Sequence, residues 1–367
     1  MEEVLIVGAG KIGSLVATLL ALTSDYHVHI ADIKPEANDL IEIIDGVSRI
    51  RYIALDLMDP SAKTTLATYV KQNGITTVIS CLPYFCNVTI AELANECHLN
   101  YFDLTEDAGN AQKIRLIGIN AEKSFVPQCG LAPGFISIAA NDLMKHFDQV
   151  DTVLMRVGAL PVYPNNALKY SLTWSTDGLI NEYGNNCYAI VNGREVILQP
   201  LEGLETIQID GLLYEAFNTS GGVGTLADTY DGRVNIMNYK TLRYPGHCQN
   251  MRFLMSDLKL NQDRATLKKI LENALSKTNQ DVVIIYVAVK GYQPEHDEMI
   301  EETYVKKIYP KIIAGKIWSA IQITTASSVC AVVDIVLKNP TIYQGLVLQE
   351  SITLKDFLSN RFGLHYL

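Results

Sequence analysis

The segment from Val4 to Gly13 constrains what this chain can fold into more than any other part of the sequence. It reads VLIVGAGKIG, which is an apolar run, three glycines, and then the start of an apolar stripe with helical spacing. A second apolar run covers residues 28–30, and Asp32 follows it closely. Strand, glycine turn, helix, strand and acid in this order are typical of a βαβ unit that binds a dinucleotide.

Each glycine of this turn has its own predicted role. Gly8 permits the tight turn after the strand, Gly10 lets a pyrophosphate approach the backbone, and Gly13 lets the helix pack closely on the sheet. Lys11 and Ile12 open the helix, whose free N–H groups and dipole favour phosphate. We therefore place these five residues in a predicted cofactor site.

Polar residues at the ends of predicted strands extend this site. Asp32 is placed to accept hydrogen bonds from the adenosine ribose and to repel a 2′-phosphate, so NAD is predicted as the cofactor and NADP is disfavoured. Lys34 lies close by in the sequence and weakens that preference slightly. Asp56, Ser80 and Asp103 also fall at strand ends, where ligands of parallel sheets bind.

The order of predicted elements indicates two domains. Over residues 1–130, predicted strands alternate with helices, which favours an α/β domain with a doubly wound parallel Rossmann sheet. After Pro133 and Gly134, strands dominate, and Asn192-Gly193 is typical of a type I′ hairpin turn. We therefore predict a second α+β domain with a mainly antiparallel sheet over residues 131–316. The apolar run 317–337 is predicted to be a buried helix, and residues 317–367 are expected to pack back on the first domain.

The predicted strands of the first domain cover residues 4–7, 28–30, 52–55, 77–80, 101–103 and 124–126. Those of the second domain cover residues 152–157, 169–174, 187–191, 194–198, 205–209, 282–289 and 304–312.

Composition excludes several classes of function. Of the 367 residues, 48% are hydrophobic and 19% are charged, as in ordinary globular enzymes, and the net charge of −10 comes without a basic tract. Neither nucleic acid nor a membrane is therefore expected as a partner. The seven cysteines are an odd number without a CxxC pair, and no apolar leader precedes the first strand. We predict a cytoplasmic protein with reduced thiols, and we find no cluster that suggests a metal.

Ser80-Cys81-Leu82-Pro83 ends the fourth predicted strand. In a dinucleotide fold these four residues would lie beside the nicotinamide ribose. They could equally be an ordinary strand end, with a helix that begins near Asn87.

Carboxylates end the fifth predicted strand. Asp103 could receive a substrate ammonium, whereas Asp107 fits equally well as the cap of the helix near Gly109. Cys129 follows the sixth strand and could be a nucleophile, but a small buried side chain is favoured because nothing indicates a lowered thiol pKa.

Two segments of the second domain contain candidate substrate-binding or catalytic residues. The loop with Gly221, Gly222 and Thr225 could hold a substrate carboxylate with its backbone N–H groups, or could be a plain flexible loop. Arg243 offers a cation for a carboxylate, and His247 offers an imidazole for proton transfer, although a lone histidine is more often structural.

Several motifs together resemble one family, the lysine 6-dehydrogenases and their saccharopine reductase relatives, over most of the chain. The matching segments are VLIVGAGKIG, Ser80-Cys81-Leu82-Pro83, Tyr101-Phe102-Asp103, Gly130-Leu131-Ala132-Pro133-Gly134, Lys169-Tyr170, Trp174-Ser175, Thr219-Ser220-Gly221-Gly222 and Leu242-Arg243-Tyr244-Pro245-Gly246-His247.

Three details within the resemblance favour the lysine dehydrogenase branch. Ala132 stands where saccharopine reductases usually carry an aspartate, and Asp177 stands where they tend to carry an arginine. The segment 179–183, Leu-Ile-Asn-Glu-Tyr, also looks like lysine 6-dehydrogenase. A substrate with two or three carboxylates is therefore disfavoured.

The resemblance implies an NAD-dependent enzyme that oxidatively deaminates L-lysine at its ε-carbon, in a cleft between the domains. Asp103 or His247 would then be the base, Lys169 and Tyr170 would orient groups, and Arg243 with the glycine loop would hold the α-carboxylate. It also implies a homodimer that forms through the second domain. A reductase that joins or splits a secondary amine, of the saccharopine or carboxynorspermidine type, and a dinucleotide-binding regulator without turnover remain the alternatives.

Overall fold

A computed structural model describes residues 1–33, 50–293 and 298–367, which form two compact units. The first unit contains residues 1–131, 312–316 and 322–367, and the second contains residues 132–311 and 317–321. The predicted domain boundary fell after residue 130, and the structure divides between Leu131 and Ala132.

The first unit is built on a six-stranded sheet with strand order β3-β2-β1-β4-β5-β6, and all five described pairings are parallel. Residues Val4–Val7 at its centre are almost completely buried, as expected of a strand covered on both faces. The predicted doubly wound α/β class is confirmed. The strands are β1 (Glu2–Val7), β2 (Tyr26–Asp32), β3 (Ile50–Ala54), β4 (Thr77–Ser80), β5 (Asn100–Asp103) and β6 (Phe125–Val126); the helices between them are α1 (Lys11–Ala21), α2 (Ala62–Asn73), α3 (Tyr84–Glu96) and α4 (Ala108–Ile119).

The second unit carries a mixed sheet with strand order β10-β11-β12-β7-β13-β14, and β8 pairs with both β12 and β9. Only the β12–β7 pairing is parallel among the described strands of this sheet, so the sheet is mainly antiparallel, as predicted. Its strands are β7 (Gln149–Pro161), β8 (Cys187–Val191), β9 (Arg194–Leu198), β10 (Glu205–Ile209), β11 (Leu212–Asn218), β12 (Ile236–Arg243), β13 (Asp281–Tyr292) and β14 (Ile300–Ile308); its helices are α5 (Phe135–Met144), α6 (Thr176–Gly184), α7 (Leu226–Tyr230), α8 (His247–Arg252) and α9 (Arg264–Ala274), and one π-helical turn covers Phe253–Asp257.

The C-terminal part adds a short hairpin, β15 (Lys311–Ile313) and β16 (Lys316–Trp318), and then α10 (Ala320–Lys338) and α11 (Leu354–Ser359). Helix α10 has the length and hydropathy of a membrane span, but 83% of its apolar window is buried inside the structure. Within the first unit, Asp334 of α10 accepts hydrogen bonds from Tyr26 Oη at 2.7 Å and from Asn360 Nδ2 at 2.7 Å. This burial is that of a core helix.

The type I′ hairpin forms where the sequence predicts it. Asn192 and Gly193 both have positive φ, +53° and +77°, and they join β8 to β9 with the predicted strand bounds. Positive φ at both central residues is the requirement of this turn, and asparagine followed by glycine meets it at little cost.

Four sequence predictions of local structure were wrong. The strand predicted over residues 304–312 is interrupted, because β14 ends at Ile308 and β15 begins at Lys311. No strand forms over residues 169–174, because the Asn166 side chain bonds both the N–H and the C=O of Tyr170 (3.3 and 2.6 Å) and Lys169 adopts a φ of +50°. The helix predicted from 317 begins at Ala320, since residues 317 and 318 belong to β16. Helix α3 begins at Tyr84, three positions before the predicted Asn87.

Candidate functional site

The glycine turn of the first unit is preformed. Gly8 has a φ of +100°, a conformation that favours glycine, and its N–H donates to Ala31 O at 2.8 Å. A Cβ added to Gly13 would lie 1.8 Å from Gly8 O, so helix α1 can pack here only through a glycine. A Cβ added to Gly10 would have no other heavy atom within 4 Å, so open space lies beside this residue. The local geometry at each of the three glycines is therefore compatible with the role predicted for it.

Asp32 does more in this structure than the sequence indicated. Its Oδ2 accepts a hydrogen bond from the N–H of Ala9 at 2.6 Å, and its own carbonyl accepts one from Tyr52 Oη at 2.9 Å. The carboxylate thus helps to hold the glycine turn in place. Lys34, which weakened the preference for NAD, lies outside the described residues.

The segment from Ser80 to Pro83 lies against the glycine turn. Cys81 N–H donates to Val7 O at 2.8 Å, and Cys81 O would be 3.0 Å from a Cβ on Gly8. The same Cβ would be 3.2 Å from Leu82 Cδ2, and Pro83 precedes the first residue of α3. Burial and the Asp103 carboxylate raise the pKa of the Cys81 thiol to about 12, so this thiol stays protonated at neutral pH.

Ser80 turns inward from this segment. It is completely buried, and its hydroxyl donates to Asn87 Oδ1 at 2.7 Å; Asn87 Nδ2 in turn donates to Thr105 Oγ1 at 2.6 Å. This chain of bonds fixes the strand end. The side chain of Ser80 is therefore committed to the interior of the first unit.

Asp103 does not have the geometry of a free base. It is completely buried, Oδ1 accepts from the N–H groups of Thr105 (3.0 Å) and Gln128 (2.8 Å), and Oδ2 accepts from Tyr101 Oη at 2.8 Å. Burial raises its pKa, against the effect of these donors. The arrangement ties the end of β5 to the segment that follows β6, and so favours a structural role.

Two other residues at these strand ends have the structural roles weighed in the sequence analysis. Asp107 caps α4 by accepting from Asn110 N–H at 2.8 Å. Cys129 is buried, lies 3.0 Å from Val126 O, and has a thiol pKa well above its ordinary value because of burial, so it is no activated nucleophile.

The residues of the first unit fit a dinucleotide. Lys11 and Ile12 form the first turn of α1, so the N–H groups at this helix end follow directly on the glycine turn. Asp56 is exposed at the carboxyl end of β3 and accepts from Met58 N–H at 2.9 Å. Since β3 pairs with β2, Asp56 belongs to the same edge of the sheet as Asp32.

In the second unit the residues singled out by sequence converge around Arg243. This arginine ends β12 and is 2% exposed. Its Nη1 donates to Thr241 Oγ1 (2.9 Å) and Leu242 O (2.8 Å), and its guanidinium carbon lies 5.0 Å from the centroid of the Tyr170 ring. Tyr170 accepts a hydrogen bond from Trp174 at 3.1 Å.

The hydrogen bonds of His247 define its tautomer. Arg243 Nε can only donate, so Tyr183 Oη accepts at 2.7 Å and directs its own proton to His247 Nε2 at 3.0 Å. Leu168 O can only accept, so His247 Nδ1 carries the proton of the 2.7 Å bond between them. Burial and the Arg243 charge lower the pKa of His247 to about 3. Both ring nitrogens are occupied, so the predicted role of His247 as base is not favoured.

Lys169 and the glycine loop lie around this cluster. Lys169 is exposed and its Nζ donates to Pro245 O at 2.9 Å. Gly221 has a φ of +86°, and a Cβ on Gly222 would be 2.2 Å from the Tyr239 ring, so close packing requires glycine there. Thr225 is buried and precedes α7.

Sequence analysis missed two carboxylates that complete the cluster. Glu182 of α6 is buried, and its Oε2 lies 3.7 Å from Arg243 Nη2. Glu215 of β11 accepts from Gly246 N–H (2.8 Å) and Cys248 N–H (2.5 Å), which fixes the start of α8 and hence His247. A carboxylate within an apolar helical segment, Leu-Ile-Asn-Glu-Tyr, was the signal available for Glu182.

Two family models match this chain. The model described as saccharopine dehydrogenase NADP binding domain matches residues 4–122, and the one described as saccharopine dehydrogenase C-terminal domain matches residues 130–361.

Among solved structures, the chain is similar to an apo histidine-tagged saccharopine dehydrogenase (L-Glu forming) from Saccharomyces cerevisiae. The identity is 17%, the match covers 95% of this chain and 94% of that chain, and the TM-score is 0.74, which shows a shared fold. A DAP dehydrogenase in complex with DAP from C. glutamicum matches with 11% identity over 97% and 95% of the two chains and a TM-score of 0.48. A myo-inositol dehydrogenase from Corynebacterium glutamicum matches with 12% identity over 94% and 90% and a TM-score of 0.47.

Proposed function

This chain belongs to the saccharopine dehydrogenase family, and from this membership we propose that it is an NAD-dependent dehydrogenase that oxidatively deaminates L-lysine at the ε-carbon. The family establishes an oxidoreductase that acts on a CH–NH group of an amino acid with a nicotinamide dinucleotide. The choice of lysine and of NAD is our proposal.

The choice of NAD rests on Asp32. Its carboxylate ends β2 beside the glycine turn, where a ribose diol would be accepted and a 2′-phosphate repelled. The bound nicotinamide supplies the hydride acceptor for the carbon that carries the amine. The residues that would hold the cofactor are the turn from Gly8 to Gly13, Asp32, and the segment from Ser80 to Pro83.

The choice of lysine rests on one observation, the charge of the buried cluster in the second unit. Among the described residues the cluster holds one buried cation, Arg243, and two buried carboxylates, Glu182 and Glu215, so its formal charge is not positive. A substrate with several carboxylates would need further cations. Asp177, where saccharopine reductases tend to carry an arginine, instead forms a 2.5 Å ion pair with Lys268. A substrate with one zwitterionic amino-acid head and a separate amine fits this set of charged side chains better than saccharopine does.

The proposed reaction balances as L-lysine with a protonated ε-amine, NAD+ and water giving the ε-semialdehyde, NADH, ammonium and one proton. The ε-ammonium must lose a proton before hydride leaves the ε-carbon, because a protonated amine cannot stabilise the developing iminium. The imine then takes up water and releases ammonia. Asp103 is completely buried and accepts three hydrogen bonds, and both ring nitrogens of His247 are bonded, so neither residue is placed as a free base for this proton.

The direct test follows the absorbance of the reduced nicotinamide formed by purified protein with NAD or NADP and a panel of L-lysine, saccharopine and carboxylated polyamines. We expect turnover with L-lysine and NAD. Turnover of saccharopine but not lysine would identify a secondary-amine dehydrogenase. Cofactor binding by thermal shift without turnover of any amine would identify a dinucleotide-binding regulator.

The role of Asp32 in cofactor choice can be tested with Asp32→Asn and Asp32→Ala. Asparagine keeps an oxygen for Ala9 N–H but removes the charge, so we expect the ratio of NAD to NADP affinity to fall about 10-fold. Alanine also loses the bond to the turn, so it should weaken both cofactors. Unchanged cofactor preference in Asp32→Asn would refute the role of the charge. Dissociation constants from fluorescence titration supply the measurement.

We further propose that the protein works in the cytoplasm as a homodimer formed through its second unit. All seven cysteines are free, which fits a reducing compartment. Light scattering coupled to gel filtration tests the dimer, and a mass of one chain would contradict it.

A further inference from the structure

The Glu182–Arg243 pair has unused hydrogen-bonding capacity at one end of each partner. Arg243 is held at Nε by Tyr183 and at Nη1 by Thr241 and Leu242, whereas among the described residues Nη2 has only Glu182, at 3.7 Å. That distance is too long for a hydrogen bond. The guanidinium is therefore rigidly oriented, and one of its ends points at the carboxylate without bonding it.

Glu182 also keeps unused hydrogen-bonding capacity. No donor of the described chain makes a well-aligned hydrogen bond to its carboxylate, and its side chain keeps 11% of its surface exposed. Burial raises its pKa, against the opposing effects of Arg243 and the nearby Thr219 and Thr241 hydroxyls. A carboxylate can accept about four hydrogen bonds, so the two hydroxyls leave acceptor sites on Glu182 open.

Two more polar atoms on the same segments lack partners among the described residues. Thr219 Oγ1 and Asn181 Nδ2 are buried and form no well-aligned hydrogen bond. Both are tied to the Glu182 region, because Ser220 N–H donates to Glu182 O at 2.9 Å and Ser220 Oγ donates to Asn181 O at 3.1 Å. An unfilled acceptor, an unfilled cation and unpartnered polar atoms together describe a polar binding site.

Resting on the proposed function, we propose that Glu182 and Arg243 together bind the α-amino-acid head of the substrate, with Arg243 Nη2 on the α-carboxylate and Glu182 on the α-ammonium. An amino-acid head carries one anion and one cation on a single carbon. A guanidinium and a carboxylate 3.7 Å apart, each with free bonding sites, match that pair of charges in sign and in spacing. Glu182 is therefore a specificity residue for L-α-amino acids and lies apart from the reacting ε-amine.

The test compares L-lysine with 6-aminohexanoate, which keeps the carboxylate and the terminal amine but lacks the α-amine. We expect wild-type protein to prefer lysine by about 100-fold or more in kcat/KM, because a site built for a substrate N–H group rejects an analogue without it. In Glu182→Gln the kcat/KM for lysine should fall about 100-fold, mainly through KM, while that for 6-aminohexanoate changes little.

Glu205→Gln is the matched control. Glu205 also pairs with a buried arginine of the second unit, but its partners bond it fully, so the preference for lysine over 6-aminohexanoate should be unchanged. Equal losses for both substrates in Glu182→Gln would overturn the proposal, since that is the result for a base or for a purely structural residue. If Glu182→Gln does not fold, Glu182→Asp replaces it, and unchanged preference in that variant overturns the proposal.

Failure of the proposed function can be distinguished from failure of the head-binding proposal. If wild-type protein oxidises no amine of the panel, the proposed function fails, and calorimetric binding of L-lysine and 6-aminohexanoate then tests the head-binding proposal. Tighter binding of lysine by wild type, lost in Glu182→Gln, supports it. The same result for the two proteins, including no binding by either, overturns it.

Discussion

Two glutamate–arginine pairs lie among the described residues of the second unit, and they differ in how completely the chain bonds them. Glu205 accepts from Arg156 Nε at 2.5 Å and from Lys240 Nζ at 2.6 Å, and Lys240 also bonds Gly203 O at 2.6 Å. Glu182 faces Arg243 at 3.7 Å. The first pair is a closed network, and the second has open bonding sites.

The pKa values of the two carboxyls move in opposite directions for this reason. Burial acts to raise both, but the two bonded cations outweigh it at Glu205 and lower its pKa, whereas the pKa of Glu182 is raised. The same residue pair therefore serves stability when its bonds are filled and becomes a candidate binding site when they are not. The two carboxyls differ in that two cations bond Glu205 directly, whereas the one cation beside Glu182 lies beyond hydrogen-bonding distance.

The largest stability effect is expected at the closed pair. Glu205→Gln leaves Arg156, which is 1% exposed, without its anion, so the free energy of unfolding should fall by about 2–3 kcal/mol. This is below the range for fully buried pairs because the Glu205 side chain is 36% exposed. Urea denaturation measures the change. A loss below about 0.5 kcal/mol would mean that the closed pair is no more than a surface ion pair.

A smaller effect is expected where Tyr183 links Arg243 to His247. Tyr183→Phe leaves a donor of Arg243 and an acceptor of His247 unpaired in the interior, which should cost about 1–2 kcal/mol. It also frees the guanidinium to turn, so KM for the amino-acid substrate should rise more than kcat falls. A stability loss without any change in KM would show that Tyr183 does not orient Arg243 for substrate.

The smallest effect, ~1 kcal/mol or less across the range, is the pH dependence of stability, and its sign differs between the pairs. The folded pKa of Glu205 is lowered, so its stabilisation is present above the unfolded pKa and is lost as pH falls through the folded one. The folded pKa of Glu182 is raised, so its contribution is present below the unfolded pKa and is lost as pH rises through the folded one.

The measurement is urea denaturation of wild type, Glu205→Gln and Glu182→Gln between pH 4 and 7. The stability difference between wild type and Glu205→Gln should shrink toward acid, and that between wild type and Glu182→Gln should shrink toward neutral pH. If both stability differences changed with pH in the same direction, the distinction between the two pairs would be refuted.

The fold of the first unit could be predicted because its sequence patterns are local. The turn from Gly8 to Gly13 depends on backbone freedom and apolar spacing within one short segment, and Asp32 follows at the end of the next strand. The hairpin at Asn192-Gly193 is equally local. Prediction failed over residues 169–174, where the Asn166 side chain replaces strand bonds with a turn that apolar periodicity does not reveal.

The second unit shows the limit of residue-by-residue reasoning about a site. Arg243, His247 and Tyr170 were singled out and do lie together, with ring centroids of Tyr170 and His247 5.3 Å apart. Their roles could not be read from sequence, because both ring nitrogens of His247 are bonded by distant residues: Nε2 accepts from Tyr183 and Nδ1 donates to Leu168 O, 64 and 79 positions away.

The sequence alone therefore determined the βαβ unit, the two-domain order, the hairpin and the class of cofactor, because each depends on local backbone preference and on the period of apolar residues. The tertiary structure decided which polar groups are filled and which are open. Glu182 meets Arg243 only after α6 packs beside the end of β12, and no local pattern reports whether a buried carboxylate will be bonded by two cations or will face one at 3.7 Å. Whether a cation comes within hydrogen-bonding distance of a carboxylate is a property of long-range packing, and it is what distinguishes Glu182 from Glu205.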